Sequence, residues 1–205
     1  MTAATDLDKI AADLFIWQAY DQAAKSDLFS SAIVTRDGIF VVDPIRLRKA
    51  PFAQLREQGM IAGVVITNAN HLRASGQIAE QFSVPIFAHR AAFPDTMPRQ
   101  FSELADGEKI CDELHVIGIE GAVAGEIVLH YTPGDGTLIV GDALINFQPH
   151  GFTFLPGKYC SNEKKMRRSL RKLPTYKSQR ILFAHGLPIL SNGSDRLRQL
   201  LDGDL

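Results

Sequence analysis

The chain has 205 residues, with 22 Lys+Arg against 23 Asp+Glu and a formal net charge of −1 when histidine is neutral. With 45% hydrophobic and 22% charged residues, disorder, collagen and coiled coil are excluded, and the length predicts one domain over 1–205 that buries its core without disulfide or metal staples. No apolar run approaches the roughly 18–20 residues that cross a bilayer, and the start Met1-Thr2-Ala3-Ala4-Thr5-Asp6 lacks the basic and apolar regions of a signal peptide, so the expectation is a cytoplasmic protein that does not engage a membrane.

In chain order, Leu14–Tyr20 is β-branched and aromatic and predicts a strand. Ser31–Thr35 and Gly38–Asp43 flank Arg36-Asp37-Gly38, an Asp-Gly hairpin signal, and Pro44 ends the second strand. Leu47, Ala50, Phe52 and Leu55 recur in a helical rhythm before the continuous apolar run Ile61–Thr67. A loop over Asn68–Arg73 opens a helix through Ala74–Phe82, and Val84–Ala88 is again a short buried strand. Strands follow at His115–Ile119, Glu126–Thr132 and Thr137–Val140, the last two joined by Pro133-Gly134-Asp135-Gly136. A helix over Asn162–Leu173, a strand Arg180–Ala184 and a short helix around Asp195–Leu201 close the chain. This is an α/β pattern: two sheets with helices outside them.

Polar residues at the C-terminal ends of apolar strands mark where α/β sheets place their sites. Four such ends stand out: Asp43; the loop Asn68-Ala69-Asn70-His71-Leu72-Arg73; Gly141-Asp142; and His185-Gly186. The order Val-Val-Asp after a hairpin, Ile-Thr-Asn-x-Asn-His-x-Arg-x-x-Gly, Val-Gly-Asp-Ala-Leu, then Ser-Leu-Arg-Lys-Leu and Phe-Ala-His-Gly-x-Pro-Ile resembles the metallo-β-lactamase-fold superfamily from about Phe15 to Ile189. The resemblance implies a four-layer αβ/βα sandwich. In that superfamily the first loop reads His-x-His-x-Asp-His, a later loop adds a histidine, a Gly-Asp bridges two metal ions and a final His-Gly completes the site. Here Asn68 and Asn70 stand on the first two histidines, Leu72 on the aspartate, Arg73 on the third histidine and Ala122 on the loop histidine. Only Asp142 and His185 match, so five of seven ligand positions are replaced.

Neutral amides are weak metal ligands, and a fixed cation at Arg73 repels a divalent ion. The resemblance, so modified, implies no resident cofactor, with zinc or iron at low occupancy as the alternative. Arg73 is expected to pair with Asp142 in the old metal cavity, and Asn68 and Asn70 to donate hydrogen bonds to the same carboxylate. His71 is a new histidine that, with Asp142 and His185, offers three donors, the number a catalytic zinc uses. Asp43 is expected to order the surrounding loops, and His185 beside Asp142 could instead serve as a metal-free general base.

The other histidines show no ligand spacing, although His150 follows the Gly-Asp strand closely enough to overhang the site. Cys111 and Cys160 lie outside any CxxC pattern, which argues against a disulfide framework or zinc knuckle. Glu163–Leu173 carries six basic residues and one acid, read as a solvated helix face, and a net charge of −1 speaks against nucleic acid as a partner. Phosphate loops and the Gly-x-Ser-x-Gly elbow are absent. The expected reading is a relative that has lost most metal ligands and binds a small molecule or is inactive, using His71, Asp142 and His185 as the chemical centre and Asn68, Asn70 and Arg73 as ligand contacts. The alternative is a hydrolase of a small ester, thioester or lactone with a reduced metal site. A homo-oligomer is left open.

Overall fold

The apolar strands alternate, and each alternation sorts side chains into two different cores. This computed structural model describes residues 3–203. The strands are β1 (Asp8–Lys9), β2 (Leu14–Asp21), β3 (Ser26–Thr35), β4 (Gly38–Val42), β5 (Ile61–Ile66), β6 (Ile86–Ala88), β7 (Phe101–Glu103), β8 (Lys109–Cys111), β9 (Leu114–Gly118), β10 (Ile127–Tyr131), β11 (Thr137–Val140), β12 (Leu144–Phe147), β13 (Gly151–Phe154) and β14 (Arg180–Phe183). The α-helices are α1 (Lys49–Arg56), α2 (Ser75–Phe82), α3 (Glu163–Leu170) and α4 (Gly193–Asp202). Strands β1 to β7 form one sheet in sequence order, a second sheet runs β14-β11-β10-β9-β8, and β12 and β13 form a separate ribbon.

Phe40 and Val42 of β4 and Val65 of β5 face Ile127, Leu129, Ile139 and Leu182 of the second sheet, making the central core. Their neighbours Ile39, Val41, Val64 and Ile66 point the other way, onto Leu55 of α1 and Ile78 of α2. On the far sheet Val128, Leu138, Val140, Ile181 and Phe183 face Met166, Leu170, Leu197 and Leu201 of α3 and α4. The side-chain period of 2 along a strand thus produces helix, sheet, sheet, helix, the four-layer sandwich expected.

Both expected hairpins are present: β3 pairs β4 with Thr35 opposite Gly38, and β10 pairs β11 with Tyr131 opposite Thr137. The short strands β1, β7 and β8, the early start of β3 and the β12–β13 ribbon were not foreseen. Strand β3 begins at Ser26, five residues before its apolar stretch, because Asp21 to Gln18 of β2 supply backbone partners for Ser26 to Phe29. The ribbon β12–β13 follows Asp142 directly, and its residues lack the turn pair that announces a hairpin. Three residues of the basic run form ion pairs at the exposed surface: Lys165 with Glu120 at 3.1 Å, Arg167 with Glu163 at 2.7 Å and, just past α3, Lys172 with Asp106 at 2.9 Å. Among the described residues, no helix is long and apolar enough to cross a membrane.

Topology brings the site together. Strand β5 is parallel to β4 and β14 is parallel to β11, so each parallel pair ends on one edge of its sheet. Sheet-to-sheet bonds stitch those edges: Ile127 N–H to Thr67 O at 2.8 Å and Phe29 N–H to Ala184 O at 2.9 Å.

Candidate functional site

Asp43 ends β4 with φ of +47°, a left-handed conformation uncommon outside glycine and asparagine. Ser30 fixes this turn by donating its Oγ hydrogen to Asp43 O (2.7 Å) while accepting from Ile45 N–H (2.8 Å). The reversed turn aims the buried Asp43 carboxylate at the end of β5, where it accepts from Thr67 N–H (2.8 Å), from the Thr67 hydroxyl (2.6 Å) and from His71 Nδ1 (2.9 Å). Asp43 therefore orders the loop, as expected. Burial alone would raise its pKa, but the His71 charge and these hydrogen bonds outweigh burial and lower it.

His71 sits in a single turn of 3-10 helix, Ala69–His71, whose N-cap is Asn68, accepting from Asn70 N–H at 2.9 Å. Its ring is buried, at 1% exposure. With Nδ1 held by Asp43, Nε2 lies 3.1 Å from Asp142 Oδ1, within ion-pair distance, and has no hydrogen-bond partner among the described residues. His185 Nε2 lies 3.2 Å from the same oxygen. Asn70 donates to Asp142 Oδ2 at 3.1 Å, as expected. His71, Asp142 and His185 each offer a donor atom within 4.8 Å of the others. Burial opposes the charge on His71, but Asp43 and Asp142 on either side reverse this and push its pKa up to about 9. The same contacts, against burial, hold Asp142 well below the ordinary carboxylate range.

The structure overturns two expectations. Arg73 forms no ion pair with Asp142. Its guanidinium donates instead to three backbone oxygens, Phe29 O (2.5 Å), Asp43 O (2.9 Å) and Ala184 O (3.5 Å), and the residue takes φ of +37°. Phe29 lies within β3, and Asp43 and Ala184 directly follow β4 and β14, so the planar fork staples the two sheets where a point charge could not. Asn68 does not donate to Asp142 either. Its Nδ2 donates to Glu126 Oε2 at 2.7 Å, a buried carboxyl that needs a donor.

Glu126 was missed by sequence reasoning. It precedes β10, which is antiparallel to β11, and so reaches the site edge from a strand's N-terminal end, where the rule of C-terminal ends does not look. It is buried at 3% exposure and accepts from Ala143 N–H at 2.9 Å. Burial and the neighbouring Asp142 push its pKa up to about 8 despite these hydrogen bonds. Near neutral pH the pocket therefore carries Asp43 and Asp142 as carboxylates against protonated His71 and Arg73, a balanced set. The close packing needs Gly141: a Cβ there would lie 2.6 Å from Thr67 Oγ1 and 2.8 Å from Glu126 Oε1. Gly186, at φ of +105°, likewise lets β14 turn past Asn146, whose backbone oxygen would sit 2.0 Å from a Cβ.

The donor set fits one divalent ion and not two. Nε2 of His71 is a buried nitrogen without a hydrogen-bond partner, it converges with two further donors, and its other nitrogen is oriented by a carboxylate as metal-bound histidines are. The remaining positions are closed. Asn68 is committed to Glu126, Arg73 to carbonyls, Ala122 offers no donor, and Leu72 is 41% exposed.

A sequence profile of the metallo-β-lactamase superfamily matches residues 7–203. No curated protein matches the sequence significantly. Among solved structures, the chain is similar to the DIM-1 metallo-β-lactamase (TM-score 0.76, 13% identity, 98% of each chain covered). It is also similar to metallo-β-lactamases from Pontibacter korlensis (TM-score 0.72, 16% identity, 96% of this chain and 98% of that one) and Erythrobacter litoralis (TM-score 0.73, 13% identity, 96% of each). The profile spans nearly the whole sequence and the four layers superpose on these enzymes from end to end: this chain belongs to the metallo-β-lactamase superfamily.

Proposed function

We propose that the protein is a hydrolase-like member of the superfamily with a reduced, single-ion site formed by His71, Asp142 and His185, acting on a small ester, thioester or lactone. The observation that carries this reading is the buried, unbonded Nε2 of His71 converging with Asp142 and His185. Three protein donors are what a catalytic zinc takes, leaving a position open. An ion held there would act as a Lewis acid on the substrate carbonyl. The chain's own residues prepare that chemistry. Asp43 fixes the His71 ring so that Nε2 faces inward, Asn70 holds the outer oxygen of Asp142, and Glu126 anchors the Gly141–Ala143 turn that carries Asp142.

A second reading is favoured by the charge balance. Protonated His71 and Arg73 already answer Asp43 and Asp142, so the pocket is electrostatically complete without metal, as a metal-free ligand-binding relative would require.

Metal content by inductively coupled plasma mass spectrometry separates the two readings. The untagged protein is exposed to zinc, iron and manganese and then exhaustively exchanged. About one ion per chain, lost in Asp142→Asn, His185→Ala and His71→Ala and accompanied by ester or lactone turnover, is the expected result. Metal no higher than in those variants overturns the hydrolase reading in favour of the metal-free one.

A further inference from the structure

The net charge of −1 is an average over two unlike parts of the chain. Residues 1–155 carry 11 basic and 19 acidic side chains, whereas residues 156–205 carry 11 basic against 4 acidic. The second part supplies α3 and α4, which lie on the outer face of the second sheet with Met166, Leu170, Leu197 and Leu201 in one core. Their basic residues meet in one surface. Arg171 Nη2 donates to Leu201 O at 3.0 Å, and Arg167 and Arg196 lie over Phe154 and Phe152, alternate rings of β13. A partner meets this local charge, not the chain average.

Fold stability explains only part of the charge. Lys165, Arg167, Lys172 and Arg198 are paired with Glu120, Glu163, Asp106 and Asp195, and Arg168 and Arg171, at the C-terminal end of α3, complement its dipole. Lys164 does neither, because it stands in the first turn, where the dipole disfavours a cation. The exposed Lys164, Arg168 and Arg171 fall at i, i+4 and i+7, a stripe opposite the buried Met166 and Leu170. Among the described residues, Lys164, Arg168, Arg171 and Arg196 have no carboxylate partner. The bond from Arg171 to a carbonyl leaves its charge unanswered.

We propose that the α3–α4 face binds the phosphate backbone of nucleic acid without reading base sequence. Guanidinium forks take phosphate oxygens in pairs, and four unopposed cations on one face match the repeated charges of that backbone. An anionic membrane would attract the same charges, but a helix that lies in a membrane surface inserts apolar side chains. Here Met166, Leu170, Leu197 and Leu201 are buried and Leu200 packs on the same core, which leaves nothing to insert. Such binding needs neither metal nor turnover at the His71 cluster.

The test is fluorescence anisotropy of the full chain with labelled single-stranded RNA and duplex DNA of mixed sequence, each about 20 nucleotides long, from about 50 to about 200 mM KCl. Four phosphate contacts predict that affinity falls about 50-fold for the single strand and about 150-fold for the duplex across that range. The double variant Lys164→Glu, Arg168→Glu is expected to weaken binding at the lower salt by at least about tenfold and to flatten the salt slope by about half. Both side chains are exposed, and the milder Lys164→Gln, Arg168→Gln, expected to lose at least about threefold, repeats the test without charge reversal. Arg46→Glu, Arg48→Glu changes the net charge equally at the β4–α1 connection, away from this face, and is expected to change affinity by less than about threefold. Absence of binding at the lower salt, binding indifferent to salt, or equal losses in the two glutamate pairs overturns the proposal. Capture by phosphatidylserine vesicles that is lost in Lys164→Glu, Arg168→Glu, with neither oligonucleotide bound, assigns the face to a membrane and also overturns it.

Discussion

Asp43→Asn removes the charge that orients and protonates His71 while preserving the shape of the loop. In the metal-free protein, His71 is raised from 6.5 to about 9 by Asp43 and Asp142 acting against burial. About 2.5 units at about 1.4 kcal/mol each is about 3 kcal/mol. The folded state holds this proton more tightly than the unfolded chain does. The stabilisation is therefore complete below pH 6.5 and is lost as pH rises through about 9. Without Asp43, burial governs and the His71 pKa falls, so the variant lacks this pH-dependent share. Removing one member of a buried ionic cluster costs about 3–5 kcal/mol. Urea unfolding of metal-stripped protein at pH 6 and pH 10 should show the variant about 3–5 kcal/mol less stable at the lower pH, with the gap narrowing by about 3 kcal/mol at the higher. A gap that stays constant from pH 6 to pH 10 would refute the assignment of His71 as a buried imidazolium held by Asp43.

Two further outcomes follow from the same geometry. Glu126 is raised from 4.5 to about 8, so its folded form binds the proton more tightly and stability falls as pH rises through that window; Glu126→Gln, which keeps one of two acceptors, should cost about 1 kcal/mol near pH 7 and flatten that slope in denaturant melts. Arg73→Lys loses the planar fork that holds the three carbonyls at once and should lower stability by about 1–3 kcal/mol, read as a fall in thermal midpoint; an unchanged midpoint would mean the guanidinium staple contributes nothing.

Much of the site was legible as a set of positions. Asp43, the Asn68–Arg73 loop, Asp142 and His185 were located because each follows an apolar strand of a parallel pair. Partnership was not legible. Arg73 and Asp142 carry opposite charges and stand on motif positions that once shared an ion, yet Arg73 points to the Phe29, Asp43 and Ala184 oxygens, which three separate segments bring together there. His71 was grouped with Asp142 and His185 from its place in the loop, but its burial and its hold by Asp43 were not legible.

The sequence by itself determined that β4, β5, β10, β11 and β14 are buried on both faces, since their runs are continuously apolar and strand geometry sends alternate side chains to opposite faces; the four layers followed from the family resemblance. It also determined that two metal ions lack ligands, because missing donors are a matter of residue identity. The tertiary structure alone decided who bonds to whom. Glu126 reaches the site from an antiparallel strand, and the charge of protonated His71 is stabilised by two carboxylates 28 and 71 residues away in sequence. Hydrogen bonding and burial energies depend on distances of a few ångströms between segments remote along the chain, and no pattern within a segment encodes them.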